Sequence, residues 1–127
     1  MTQEDKELLL IDLCARLPYG VFCNIGLDYP LQLQRLSVNK LDGILLDFYK
    51  DGKDYQVYLG EVKPYLLPLS SMTKGQKYEY QYIIEWWMCD PSCSISDSTD
   101  WLNKNHFDYR GLIEKGLAID ATGLNIY

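Results

Sequence analysis

Two stretches of helical periodicity flanking a long segment of period-two alternation predict an α+β fold. Apolar residues before Leu17 recur at three- and four-residue spacing, those of residues 20–69 nearly alternate between turn signals, and an aromatic run after Thr73 returns to helical spacing. The expected architecture is an N-terminal helix, a small curled antiparallel sheet of four or five strands resembling an SH3-like barrel, an aromatic helix and short C-terminal helices. With 127 residues and neither repeat, low-complexity tract nor linker, one domain spanning 1–127 is expected.

The first helix should occupy residues 2–17. Thr2 suits the N-cap, and Glu4 and Asp5 place acids in the first turn, where the helix dipole favours them. Leu10, Leu13, Cys14 and Leu17 form the expected buried stripe. Pro18 disfavours helical geometry at Leu17, and Gly20 permits the turn that follows.

The runs "VFCNIG", "PLQLQRLSV", "DGILLDFYK" and "DYQVYLGEV" read as successive strands, with a slip of alternation in "PLQLQRL" that suits a bulge. Asp51-Gly52 is a strong hairpin signal. Pro64 and Pro68 make "VKPYLLPLSS" an edge strand or an extended exit, because each lacks a backbone donor. Thr73 and Gln76 form a capping box for a helix over residues 73–88, with Tyr82, Ile83, Trp86 and Trp87 as a wide aromatic face. The polar segment 89–98 reads as a surface loop. Residues 99–121 read as two short helical turns: Asp97 or Ser98 caps the first, Asp108 caps "YRGLIEK", and Gly116 ends it. The tail beyond Gly116 alternates weakly and suits an extended strand.

Composition narrows function. A net charge of −6, with 12 basic residues scattered rather than clustered, argues against nucleic-acid binding; the 18 acids are too dispersed for a DNA mimic. The charged start "MTQEDKELLL" lacks the pattern of a signal peptide, and no apolar stretch reaches the roughly 20 residues that span a bilayer. A cytoplasmic protein with reduced cysteines and no membrane association is expected.

The chemistry-bearing residues are few. Cys89 and Cys93 form a C-x3-C pair, and His106, the single histidine, makes a third weak metal candidate; Cys14 and Cys23 fall in patterns where a buried thiol packs as a small hydrophobe. No resident metal or cofactor is expected. No nucleophile elbow or phosphate-cradling glycine loop is present, and any nucleophile–base scheme would have to use His106, so a non-enzymatic protein is expected. The segment "DWLNKNHFDYRGLIEKGLAIDA" (100–121) has two readings. As a site, His106, Asp108, Tyr109 and Arg110 gather polar chemistry, Arg110 holds a carboxylate or phosphate, and Trp101 and Tyr109 offer stacking faces for a nucleotide-like ligand. As a packing latch, the favoured reading, Trp101, Leu102, Phe107, Leu112 and Ile113 are buried anchors and Asp108 is a cap.

That same segment, with "KPYLLPLSSMT" (63–73) and "LLLIDLCARLPYGV" (8–21), resembles a family of small uncharacterised proteins encoded by phages and mobile elements of Bacteroides-type gut bacteria. The resemblance spans most of the chain and is most specific in the C-terminal block. It implies a phage or mobile-element setting and carries no activity. The expectation is an accessory protein acting on a host or phage protein partner, through an aromatic face around Tyr78, Tyr82 and Trp86 or through the cluster around Arg110. A nucleotide-binding or sequestering protein of phage origin is the alternative, and an SH3-like nucleic-acid-associated protein a second one.

Overall fold

The computed structural model describes residues 2–39, 43–89 and 96–127, and its elements are α-helices and β-strands, with two α-helices lying between the fifth and sixth strands in the chain. Helix α1 (Gln3–Arg16) opens with a capping box: the Asp5 N–H donates to the Thr2 hydroxyl at 3.1 Å, and the Asp5 carboxylate accepts from the Thr2 N–H. A 3-10 turn at Leu17–Tyr19 follows and ends at Gly20, whose φ of +71° is open to glycine at little cost.

The described residues hold seven strands: β1 (Phe22–Asn24), β2 (Leu31–Asn39), β3 (Gly43–Lys50), β4 (Lys53–Tyr58), β5 (Lys63–Pro68), β6 (Phe107–Asp108) and β7 (Ile119–Asp120). The order across the sheet is β4-β3-β2-β1-β5-β6, with β7 also pairing β5. The β2–β3–β4 meander is antiparallel, and its register shifts between Leu33 and Arg35, where the alternation slips. Asp51 and Gly52, both at positive φ, close the β3–β4 hairpin.

Three expectations are corrected here. The sheet is open rather than an SH3-like barrel, since among the described residues no pairing joins β4 to β6 or β7. Strand β5 is interior rather than an edge, pairing antiparallel with β1 and parallel with β6 and β7. Its two prolines are tolerated because each neighbouring ladder is two residues long: the Leu67 N–H reaches the His106 carbonyl, and the Leu66 carbonyl accepts from Ala121. Residues 109–118 make a hydrogen-bonded turn, not a second C-terminal helix.

Helix α2 (Lys74–Cys89) carries the predicted capping box, with the Gln76 N–H donating to Thr73 Oγ1 at 3.1 Å and the Thr73 N–H to Gln76 Oε1 at 2.9 Å. Helix α3 (Ser96–Lys104) follows. The main core joins Leu9 and Leu13 of α1 to Val21, Cys23, Leu31, Leu46, Phe48 and Leu66 of the sheet region, and to Leu112 and Leu117 of the C-terminal turn. A smaller cluster centres on Trp101, Leu102 and Phe107, with Met72, Tyr80 and Ile83 against it. Together these make the C-terminal block a packing element in both cores. Cys14, expected in the buried stripe, is exposed: the inward face of α1 is Leu9, Asp12, Leu13 and Arg16. Among the described residues, no helix is long and apolar enough to cross a membrane.

Candidate functional site

Two places gather the residues singled out by the sequence. The first is the C-terminal block, where α1 contributes the centre of a polar cluster. Asp12 and Arg16 are fully buried, one helical turn apart, and Arg16 Nε donates to Asp12 Oδ2 at 2.9 Å. Arg16 Nη2 donates to the Phe107 carbonyl at 2.6 Å, and Arg110 Nη1 donates to Asp12 Oδ1 at 2.6 Å. One carboxylate thus accepts from two guanidiniums that arrive from opposite ends of the chain. A carboxylate buried among hydrocarbon is costly unless charge-assisted hydrogen bonds replace its water, and these two do so.

Tyr109 extends this cluster. Its ring lies 4.4 Å from the Arg110 guanidinium and 5.6 Å from that of Arg16, and its hydroxyl donates to Asn103 Oδ1 at 2.9 Å. Asp108 turns away from the arginines. Its two carboxylate oxygens accept from the Leu112 and Ile113 N–H groups at 3.0 and 2.9 Å, which makes it the cap of the turn that delivers Leu112 and Leu117 to the core.

His106 takes a left-handed backbone, φ +62°, and leaves its carbonyl facing the Leu67 N–H at 2.8 Å. Its ring stacks on Tyr127 with centroids 3.8 Å apart. Burial, and then the charge of Arg16, lower its pKa to about 4, so it is neutral at pH 7. Its Nδ1 is buried and makes no hydrogen bond to a described residue, and the same holds for Arg16 Nη1. Tyr127 pins the two strands beside it: its hydroxyl accepts from the Phe22 N–H and donates to the Tyr65 carbonyl, each at 2.8 Å. Burial raises the Tyr127 phenol pKa well above its ordinary value.

Trp101 is a packing anchor. Its ring stacks between Tyr80 and Phe107 at 5.4 and 5.7 Å, and its indole N–H donates to Glu79 at 3.0 Å. That bond and stack tie α3 and β6 to the inner side of α2.

A cleft of about 400 Å³ lies beside this block, lined by Pro68, Leu69, Asp108, Tyr109, Ile113 and Glu114 among others. The Tyr109 ring reaches it. Arg110 does not line it, because its guanidinium is turned to Asp12, and the charged residues that do line it are acids. The cleft therefore suits an anionic nucleotide poorly.

The second place is the outward face of α2. Tyr78 is 77% exposed and Tyr82 56%, the first being the most exposed large apolar side chain of the helix's described residues. With Gln81 and Glu85 they frame a shallow hole of about 140 Å³. The side chains of Trp86 and Cys89, and Cys93 altogether, lie outside the described residues. Among the described residues no group of three His, Cys, Asp or Glu could hold a metal ion. Cys23 is fully buried, and desolvation, with a smaller contribution from Asp12, raises its thiol pKa far above the ordinary value.

The structure thus brings Trp101, His106, Asp108, Tyr109 and Arg110 into one neighbourhood and leaves Tyr78 and Tyr82 on a separate surface. Sequence reasoning missed Asp12, Arg16 and Tyr127. The signal for the first two was an Asp and an Arg four residues apart, on the side of α1 that the leucines mark as inward.

Comparison with protein-family models, with curated proteins and with solved structures finds no match.

Proposed function

We propose that this is a non-enzymatic interaction protein that uses the outward face of α2 to hold a protein partner. The observation that carries the reading is the exposure of Tyr78 and Tyr82 one turn apart on a helix none of whose described residues is fully buried. Tyrosine presents a large rigid ring with a polar tip and loses little rotamer freedom on binding, so paired exposed rings suit a contact surface. Arg110 is held by Asp12 of α1 and Asp108 by the Leu112 and Ile113 N–H groups, which favours a latch there over a binding centre. A buried, stacked His106 whose pKa is lowered to about 4 is a weak base, poorly matched to general-base work at pH 7.

The setting we infer is that of a cytoplasmic accessory protein of a phage or mobile element, a reading that rests on the resemblance of segments 8–21, 63–73 and 100–121. The nucleotide-binding alternative has less support, since it requires a guanidinium free to meet phosphate and Arg110 is held by Asp12. The nucleic-acid alternative is weakened by the pairing of Arg35 on the outer sheet face with Asp47 at 2.8 Å.

The test is affinity capture from a bacterial host lysate with the native chain and with a Tyr78→Ser/Tyr82→Ser double variant. A co-purifying protein that the double variant loses, and that Arg110→Lys retains, is the expected result. Capture that depends on Arg110 and ignores both tyrosines would overturn the assignment of the surface.

A further inference from the structure

The outward face of α2 carries a pattern that a generic contact surface does not need. Lys74, Lys77, Tyr78, Gln81, Tyr82 and Glu85 are all exposed and follow the three- and four-residue spacing of one helix face. Tyr80 and Ile83 point the other way and pack on the Trp101 cluster.

The charges on this face run against the helix's own dipole. Its first turn holds no acid, its last turn no base, and Lys74 and Lys77 stand where acids would be favoured. A charge order that weakens the isolated helix is explained if another helix lies against it in the opposite direction.

We propose that the partner of this face is α2 of a second copy of the chain, packed antiparallel about a two-fold axis that passes between Glu79 and Tyr80. The inference rests on the interaction reading above and names its occupant. About that axis Lys74 meets Glu85 of the second copy and Tyr78 meets Gln81. Each contact occurs twice, as an isologous interface requires. The two ends supply opposite charges and the centre an aromatic–amide pair.

The surface relief fits the same register. Tyr78, Gln81, Tyr82 and Glu85 are residues i, i+3, i+4 and i+7, the four that frame a hole for a coiled-coil knob, and the hole between them is about 140 Å³. In the proposed register the side chain that enters it is Tyr78 of the second copy, and the exchange is reciprocal. Glu85 is held ready by Gln81, whose amide donates to it at 3.2 Å.

Sedimentation equilibrium of the full chain over a range of concentrations tests this with three proteins. The native chain should show a reversible monomer–dimer equilibrium. Glu85→Lys replaces two attractive pairs by two repulsive ones and should weaken the dimer roughly tenfold or more. Lys74→Glu/Glu85→Lys restores opposite charges at both ends and should return the native affinity. An unchanged unfolding midpoint in Glu85→Lys, measured at a concentration where both proteins are monomeric, confirms that the fold is intact, since its one described bond on this face is to Gln81. A native chain that stays monomeric, or a dimer indifferent to Glu85→Lys, overturns the proposal. A monomer that still captures a protein through Tyr78 and Tyr82 removes the self-pairing and leaves the interaction reading standing; a monomer with no such capture removes both.

Discussion

Replacing Asp12 with alanine is the perturbation that the C-terminal latch should feel most. Asp12 is fully buried and accepts two charge-assisted hydrogen bonds, from Arg16 at 2.9 Å and Arg110 at 2.6 Å. Bonds of this kind contribute about 1.5–3 kcal/mol each, and breaking a buried ion pair by deleting one partner typically costs about 3–5 kcal/mol. Here the deletion strands the Arg16 guanidinium, itself fully buried, with the Phe107 carbonyl as its one remaining described hydrogen-bond acceptor. We therefore expect Asp12→Ala to lower the unfolding free energy by about 3–5 kcal/mol, a large share of the roughly 5–15 kcal/mol of an ordinary domain. Arg110→Ala should cost less, about 1.5 kcal/mol, because its partly exposed head can be lost while the Asp12–Arg16 pair remains. The assay is urea unfolding followed by tryptophan fluorescence, with the midpoint compared at constant slope. A loss below about 1 kcal/mol for Asp12→Ala, or a larger loss for Arg110→Ala, would refute the placement of Asp12 at the centre of the cluster.

Two further outcomes follow from the same neighbourhood. The His106 pKa is lowered from about 6.5 when unfolded to about 4 in the fold, so the unfolded chain binds the extra proton first; stability should be full above pH 6.5 and fall as pH drops toward 4. The loss is at most about 3 kcal/mol. His106→Asn, which tolerates the left-handed backbone, should flatten that part of the unfolding profile relative to the native chain; identical profiles would place the titration elsewhere. Tyr127→Phe removes the hydroxyl that joins the Phe22 N–H to the Tyr65 carbonyl and should cost about 1 kcal/mol in thermal unfolding, whereas no change would mean water takes its place.

The fold was legible wherever local chemistry decides the outcome. Thr2, Thr73 and Gln76 cap helices because a side-chain oxygen or amide meets orphan backbone groups within the same turn. Asp51-Gly52 makes its hairpin because both residues accept positive φ. What stayed hidden depends on partners distant in sequence. Pro64 and Pro68 look like edge residues until Phe107 and Ile119, far along the chain, pair beside them through short ladders. The closure of the sheet is a global property of the same kind, and two-residue strands such as β6 and β7 carry no periodicity that would announce them.

The candidate site divides along the same line. Asp108 was readable as a local cap but not in its geometry: a helix N-cap serves N–H groups two or three residues on, whereas its carboxylate serves those four and five residues on, in a turn. Arg110 was not readable as a structural arginine, since the carboxylate that holds it lies 98 residues earlier. Asp12 and Arg16 escaped because a hydrophobic period counts leucines and passes over an ion pair on the same inward stripe. Tyr127 contributes through a single hydroxyl that no pattern marks.

Amide hydrogen exchange on the chain, free and in its captured or self-paired assembly, tests the division between latch and contact surface most directly. The account predicts that the latch amides are already protected in the free chain, His106 by the Asn103 carbonyl, Leu67 by the His106 carbonyl, and Leu112 and Ile113 by the Asp108 carboxylate, and that assembly adds protection over residues 74–85. Protection that appears at those latch amides only on assembly, with residues 74–85 unchanged, would contradict it.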